Sequence, residues 1–190
     1  MIEKARLRSM LRKARVEFEA SLPTTMRALL FLRPPAQVAQ LVPEGAVVSV
    51  YHPTAGEAPA LGYARWFAER GHPIAMPWFA ERGAEMAFRQ WHNPHDDSEL
   101  VADPYGALQP PADAPELIPQ VAICPLLGFS DNGGRLGQGG GYYDRFLART
   151  PGVIAIGIAW DCQRVDDLPV DPHDMPLRAV VTQTRFYGPF

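Results

Sequence analysis

Residues 133–146, GGRLGQGGGYYDRF, gather the groups that charge-handling chemistry needs. Six of these fourteen residues are glycine; Arg135, Asp144, Arg145, Tyr142, Tyr143 and Gln138 supply the polar side chains. Glycine lets backbone N–H groups face a ligand with no Cβ in the way. The run Gly139, Gly140, Gly141 leads directly into an expected helix, whose N-terminus adds unpaired donors and a partial positive charge. Together these features suit an anion, phosphate above all. Arg135, just ahead of the glycines, can clamp such an anion through two N–H groups. Asp144, in the first helical turn, repels a bare phosphate. It makes sense with a Mg²⁺ ion between the two, since that ion takes carboxylate and phosphate oxygens.

The common phosphate loops do not match. A P-loop needs GxxxxGK[ST], and no Lys-Ser or Lys-Thr stands here. The dinucleotide pattern GxGxxG, counted from Gly137, meets Tyr142 at its third glycine. From glycine content alone a plainer alternative stays open: a flexible loop, with Asp144 serving only the helix dipole.

The elements that must position this stretch follow from periodicity. Residues 2–20 form an amphipathic helix in which Leu7, Met10, Leu11, Ala14 and Phe18 recur at helical spacing. Lys4, Arg8, Arg12 and Arg15 make a second stripe on it, at steps of four and three. Further helices are expected over 24–32, 35–42, 58–70 and 142–149. Short valine- and isoleucine-rich runs predict strands over 45–53, 72–78, 120–129, 152–160 and 177–184, with an edge strand at 84–91. Residues 92–118 read as loop. The alternation predicts a Rossmann-like α/β fold: a single three-layer domain over 1–190, with a largely parallel central sheet flanked by helices. Ligands bind beyond the carboxyl ends of strands in such sheets, and the glycine stretch lies at such an end.

Composition narrows the classes. The chain has 190 residues, enough for one domain with a core. Its net charge of −3 gives no global attraction to nucleic acid or membrane. No run of about 18 apolar residues is present, and the first twenty residues lack the apolar centre of a secretory signal. Cys124 and Cys162 sit in apolar contexts and read as buried thiols in a reducing cytoplasm. His92 and His95 flank Pro94, which forbids a shared helix face, so they do not read as a zinc pair.

RLGQGGGYYDRFLAR, 135–149, resembles the signature of the 5-formyltetrahydrofolate cyclo-ligase family, with PLLGF, 125–129, in place of the strand end that precedes it. Three flanking segments are similar to that family in the same order. They are Lys4 and Arg8 near the N-terminus, VVSVYHPTAGE over 47–57, and LPVDPHDMPLRAVVTQT over 168–184. The likeness spans nearly the whole chain; its central motif is long and specific, and the flanking ones are individually weak.

The resemblance implies an ATP- and Mg²⁺-dependent closure of 5-formyltetrahydrofolate to 5,10-methenyltetrahydrofolate; a cytoplasmic monomer that binds neither nucleic acid nor membrane is expected. It implies roles as well. Arg135 stabilises the transferring phosphoryl group. Lys4, Arg8, Arg135, Gly137, Gly139, Gly140, Gly141, Tyr142 and Tyr143 bind ATP. Glu57 and Gln138, with Gly139 to Tyr142, contact the folate, and one of the two tyrosines is expected to be core. Asp144 and Asp174 hold the metal. Trp78, Phe79, Met86 and Phe88 are candidates for an apolar wall beside the pterin.

Three places depart from the family pattern: Gln138, the segment EAPAL at 57–61, and Gln109-Pro110, where Glu-Pro is common. All three fall in the folate half of the expected site. Two other functions therefore stay open. One is an ATP- or anion-binding module without cyclo-ligase activity, acting in regulation or interaction. The other is a ligase for a different N-formyl or carboxylate compound.

Overall fold

In the computed structural model, which describes residues 2–190, a seven-stranded sheet forms the centre. The helices are α1 (Ile2–Ser21), α2 (Thr24–Arg27), α3 (Ala36–Leu41), α4 (Leu61–Ala68) and α5 (Tyr142–Arg149). The strands are β1 (Val48–Ser49), β2 (Ile74–Trp78), β3 (Ala87–Gln90), β4 (Val101–Ala102), β5 (Leu108–Gln109), β6 (Val121–Cys124), β7 (Gly128–Phe129), β8 (Arg135–Leu136), β9 (Ile154–Ile158), β10 (Ala179–Val181) and β11 (Phe186–Tyr187). The large sheet runs β11-β10-β9-β6-β1-β2-β3. Its five inner strands are parallel, and β3 and β11 close the two edges antiparallel.

The two faces of the sheet differ in bulk, and strand alternation explains it. Val48, Ile74, Met76, Val121, Ile123, Ile156 and Ile158 point to one face and pack with Val38 of α3 and Tyr63 and Phe67 of α4. Full burial of a large apolar side chain is worth roughly 1.5–3 kcal/mol. The other face carries small residues, Ala75, Ala122, Cys124 and Ala155, against Phe146 and Leu147 of α5. Phe146 and Leu147 pack α5 on this face, which seats the glycine run at its N-terminus. A third cluster, Leu11, Leu127 and Leu136, anchors α1 over the β7–β8 hairpin.

Several elements are shorter than periodicity predicts. The expected helix at 24–32 stops after Arg27, and Phe31 takes a left-handed φ of 56°. Tertiary packing wins there: the Phe31 ring lies 5.4 Å from that of Trp160, edge-on. The expected strand 120–129 is two strands, because Pro125 lacks the N–H to continue the ladder. Within 92–118, read as loop, β4 and β5 form a short hairpin. The last edge strand, β11, and a 3₁₀ turn at Asp161–Gln163 lie outside the expected elements. Cys124 is buried as expected, but Cys162 is only half-buried.

Candidate active site

The strand order reverses between β1 and β6: the chain goes from β1 to β2 on one side and from β6 to β9 and β10 on the other. In open parallel sheets that reversal leaves a crevice beyond the strand ends. A cavity of about 460 Å³ lies there. Tyr51 and His52 follow β1, Pro77 and Phe79 come from the end of β2, and Pro125 follows β6; all five line it. Of the expected set, Gly137, Gln138, Gly140, Gly141, Tyr142, Tyr143, Arg135, Asp144 and Glu57 line its walls, whereas Lys4, Arg8, Gly139 and Asp174 do not.

The glycine loop is shaped, not slack. β8 pairs with β7, so Arg135 and Leu136 are buried strand residues. Gly139 and Gly141 have φ of 108° and 65°, conformations that favour glycine. A Cβ on Gly140 would stand 2.7 Å from the Tyr142 ring, whereas one on Gly137 would meet nothing within 4 Å. Two loop carbonyls are turned toward arginines: Arg8 Nε donates to Gly137 O at 3.0 Å, and Arg145 Nη1 donates to Gly140 O at 2.8 Å. Because a trans peptide is planar, the N–H groups of Gln138 and Gly141 point the opposite way. The first helical bond of α5 runs from Arg145 N–H to Gly141 O, leaving the preceding amides to other partners.

Arg135 is the most enclosed charge in the site, with its side chain 2% exposed. Its Nη2 donates to Asp144 Oδ1 at 2.6 Å. Its Nη1 is buried without a hydrogen-bond partner among the described residues. The Tyr143 hydroxyl is in the same condition, and its ring centroid lies 5.7 Å from the Arg135 guanidinium carbon. Burial, then the Cys124 thiol, push the Tyr143 phenol well above its ordinary pKa, so it is a neutral donor. Burial likewise raises the Cys124 thiol to about 11 against the pull of Arg135, so that thiol is inert near neutrality.

The two tyrosines therefore face different surroundings. Tyr142 stands at the mouth, its hydroxyl bonded to that of Tyr105 and its ring 4.9 Å from Phe79. Tyr143 sits on the floor. Of the expected apolar wall, Phe79 and Met86 line the cavity. Phe88 is instead core, 4.6 Å from Phe146, and Trp78 lies under Arg89.

Helix α1 lays its basic stripe along the site. Lys4 Nζ reaches Asp171 at 2.7 Å and Asp174 at 2.6 Å. Arg12 Nη2 donates to Gln138 Oε1 at 2.9 Å, and Gln138 Nε2 donates to Glu57 Oε1 at 3.3 Å. Arg15 pairs with Glu57 at 3.3 Å. Burial works against charge on Asp174, but the Asp171 N–H and the Lys4 ammonium hold it below the ordinary carboxylate range. Asp144 Oδ1 accepts from Met175 N–H at 3.1 Å, whereas the Asp174 carboxylate accepts from Asp171 N–H at 2.7 Å. The closely spaced group of possible metal ligands among the described residues is Asp171, His173 and Asp174; it contains Asp174 but not Asp144.

Glu57 is held by the close approach of α1. Gly56 has φ of 80°, and a Cβ there would lie 2.7 Å from Val16. Its N–H donates to Glu19 Oε2 at 2.9 Å, and its carbonyl accepts from Trp160 Nε1 at 2.9 Å.

A family model described as the 5-formyltetrahydrofolate cyclo-ligase family matches residues 1–183. The chain belongs to that family. The cyclo-ligase of Escherichia coli (strain K12) is 41% identical over 101 residues, which is 50% of this chain and 56% of that protein, so the match spans about half its length. The cyclo-ligase of Mycolicibacterium smegmatis is 28% identical over 190 residues, covering 95% of each. Among solved structures, the NMR structure of Aquifex aeolicus 5,10-methenyltetrahydrofolate synthetase superposes with a TM-score of 0.71 at 27% identity, over 96% of this chain and 93% of that one. A synthetase from Mycoplasma pneumoniae superposes with a TM-score of 0.61 at 25% identity, over 95% and 98%.

Besides lining residues such as Tyr51, His52 and Asp103, the sequence assigned no role to Arg12, Arg15 or Tyr105. Arg12 and Arg15 belong to the same stripe as Lys4 and Arg8, and their spacing was the available signal. Tyr105 lies in the β4–β5 turn, where nothing local marks a contact with Tyr142 across 37 residues. Among the described residues, no helix is long and apolar enough to cross a membrane.

Proposed function

We propose that this chain uses ATP to close 5-formyltetrahydrofolate to 5,10-methenyltetrahydrofolate. The observation that carries the proposal is a pair of cavity-lining residues, Arg135 and Tyr143, whose Nη1 and hydroxyl are buried donors without hydrogen-bond partners among the described residues. Buried donors left unpaired are costly unless a ligand takes them. An oxyanion at that point, such as a phosphoryl or formamide oxygen, accepts from both.

In this reaction the γ-phosphoryl group moves to the formamide oxygen and ADP leaves. N10 then attacks the activated carbon and loses its proton, and the C–O bond breaks to release phosphate. The protein's task is placement and charge stabilisation. Arg135 stabilises the charge that develops on the transferring group. The amides of Gln138 to Gly141 cradle phosphates, with Lys4 and Arg8 behind them. Asp144 and Asp174 suit Mg²⁺, since both are hard oxygen donors that already hold a cationic group, and the ion supplies charge neutralisation. Glu57 offers a carboxylate to the N–H groups of the pterin, with Gln138 beside it, and Phe79, Met86 and Tyr142 give it an apolar wall.

The proposal includes one domain over 1–190, a monomer, and work in the cytoplasm on small molecules without nucleic acid.

The test follows methenyl product in the near ultraviolet with ATP, Mg²⁺ and 5-formyltetrahydrofolate. Product from wild type, lost in Arg135→Ala, is the expected result. No product from a wild-type protein that still binds ATP would point to a different substrate or to a binding module.

A further inference from the structure

We infer that Arg15 is a positioning residue for Glu57, fixing the carboxylate that meets the folate before the ligand arrives. The inference rests on Glu57 being the substrate carboxylate. Glu57 has a side chain only 8% exposed, and Arg15 one only 3% exposed. A carboxylate so enclosed needs a counter-charge. Among the described residues, Arg15 is the one cation within hydrogen-bond reach of it.

The geometry sets the plane of the carboxylate. Oε1 faces Arg15 Nη1 and Gln138 Nε2, each at 3.3 Å. Oε2 accepts from Thr54 N–H at 3.0 Å. Arg15 is itself held from a second side, since Nη1 lies 3.5 Å from the Leu126 carbonyl. That carbonyl is fixed in turn by Gln163 Nε2 at 2.7 Å. Glu57 lines the cavity and Arg15 stands behind it, so Arg15 acts through Glu57. Arg15 meets Glu57 through the single nitrogen Nη1, a contact that an ammonium at the same position reproduces only in part.

The experiment measures dissociation constants of the full chain for 5-formyltetrahydrofolate and for ATP with Mg²⁺ separately, by calorimetry, together with KM and kcat. Arg15→Met is expected to weaken folate binding and raise folate KM about tenfold, with ATP affinity unchanged and kcat within about twofold. Arg15→Lys is expected to restore most of this, leaving about a threefold loss. Adding Arg15→Met to Glu57→Gln is expected to cost less than about twofold more, because residues that act as one unit are not additive. Wild-type folate affinity in a folded Arg15→Met protein overturns the inference, as does an equal loss for folate and ATP. Should Arg15→Met not fold, Arg15→Lys decides: the same split at about threefold supports it, and wild-type folate affinity overturns it. If Glu57→Gln weakens folate binding while the Arg15 variants do not, only the inference falls. If Glu57→Gln leaves folate binding unchanged, the role of Glu57 falls and that of Arg15 with it.

Discussion

Arg135 and Asp144 are bound to each other at 2.6 Å on the wall of one cavity, with a second arginine nitrogen buried and without a hydrogen-bond partner among the described residues. The pair does two things at once. Asp144 orients the guanidinium, and the guanidinium's buried Nη1 is the donor proposed for the ligand. Removing the arginine leaves Asp144 without its counter-charge and the cavity without its main donor. Arg135→Ala is expected to lower kcat by at least about a hundredfold. It is also expected to destabilise the fold by about 3–5 kcal/mol, since it breaks a largely buried pair. Steady-state rates and urea unfolding measure the two losses separately.

Lys4 ties the N-terminal helix to the segment that carries Asp174, and both partners titrate unusually. Asp174 has a folded-state pKa below its unfolded value of about 3.9. Its contribution to stability is therefore present above that value and is lost as pH falls through the folded pKa. Burial works against the Lys4 charge, but its two carboxylates hold its pKa above the ordinary 10.5. Its contribution is present below the unfolded value and is lost as pH rises through the folded one. Stability from this contact is thus expected to plateau between acid and alkaline losses. Unfolding free energies across pH check this, with Lys4→Met expected to lack the alkaline loss that belongs to this pair.

Much of the fold was legible because strand runs and caps are local signals. β2, β9 and β10 fall inside their expected ranges, and α5 matches its range fully. The glycine loop, Arg135 and Asp144 were legible because they lie in one continuous stretch. Arg15 and Tyr105 were not, because their meaning depends on contacts across 42 and 37 residues. Helix 24–32 failed for the same reason: Phe31 follows Trp160, not the helix period. Spacing on α1 marked a stripe, but only the fold shows what each member touches.

Gln109 is where the sequence departs from the family pattern, and its amide has a definite task. Its oxygen accepts the Phe79 N–H at 2.8 Å and its nitrogen donates to the Phe79 carbonyl at 3.1 Å. A carboxylate can accept but, when ionised, cannot donate. Gln109→Glu is therefore expected to destabilise the fold by about 1–3 kcal/mol near neutral pH. The penalty is expected to shrink in mild acid, where the carboxyl can carry a proton. Because Phe79 lines the cavity, folate KM is expected to rise with it. Unfolding at two pH values and kinetics at neutral pH check both parts.

Two glycines of the loop separate folding from binding. Gly137 faces open space, so Gly137→Ala is expected to fold with stability within about 0.5 kcal/mol of wild type. The added methyl group enters the cavity, and ATP affinity is expected to fall. Gly139 has φ of 108°, and Gly139→Ala is expected to lose about 1–3 kcal/mol of stability from backbone strain. Thermal unfolding with and without ATP distinguishes the two variants.

Tyr143 gives the sharpest separation of stability from function. Its hydroxyl is buried and has no partner among the described residues, so in the ligand-free protein it contributes only the cost of its burial. Tyr143→Phe is expected to be as stable as wild type or more stable, by up to about 1 kcal/mol. If the hydroxyl bonds the reacting group, the same change lowers kcat by about ten- to a hundredfold. Tyr142→Phe is the control, because its hydroxyl already has Tyr105 as a partner at the cavity mouth. It is expected to change kcat less than Tyr143→Phe does. Equal kcat for wild type and a well-folded Tyr143→Phe protein would remove this hydroxyl from the reaction and leave Arg135 as the donor on the cavity floor.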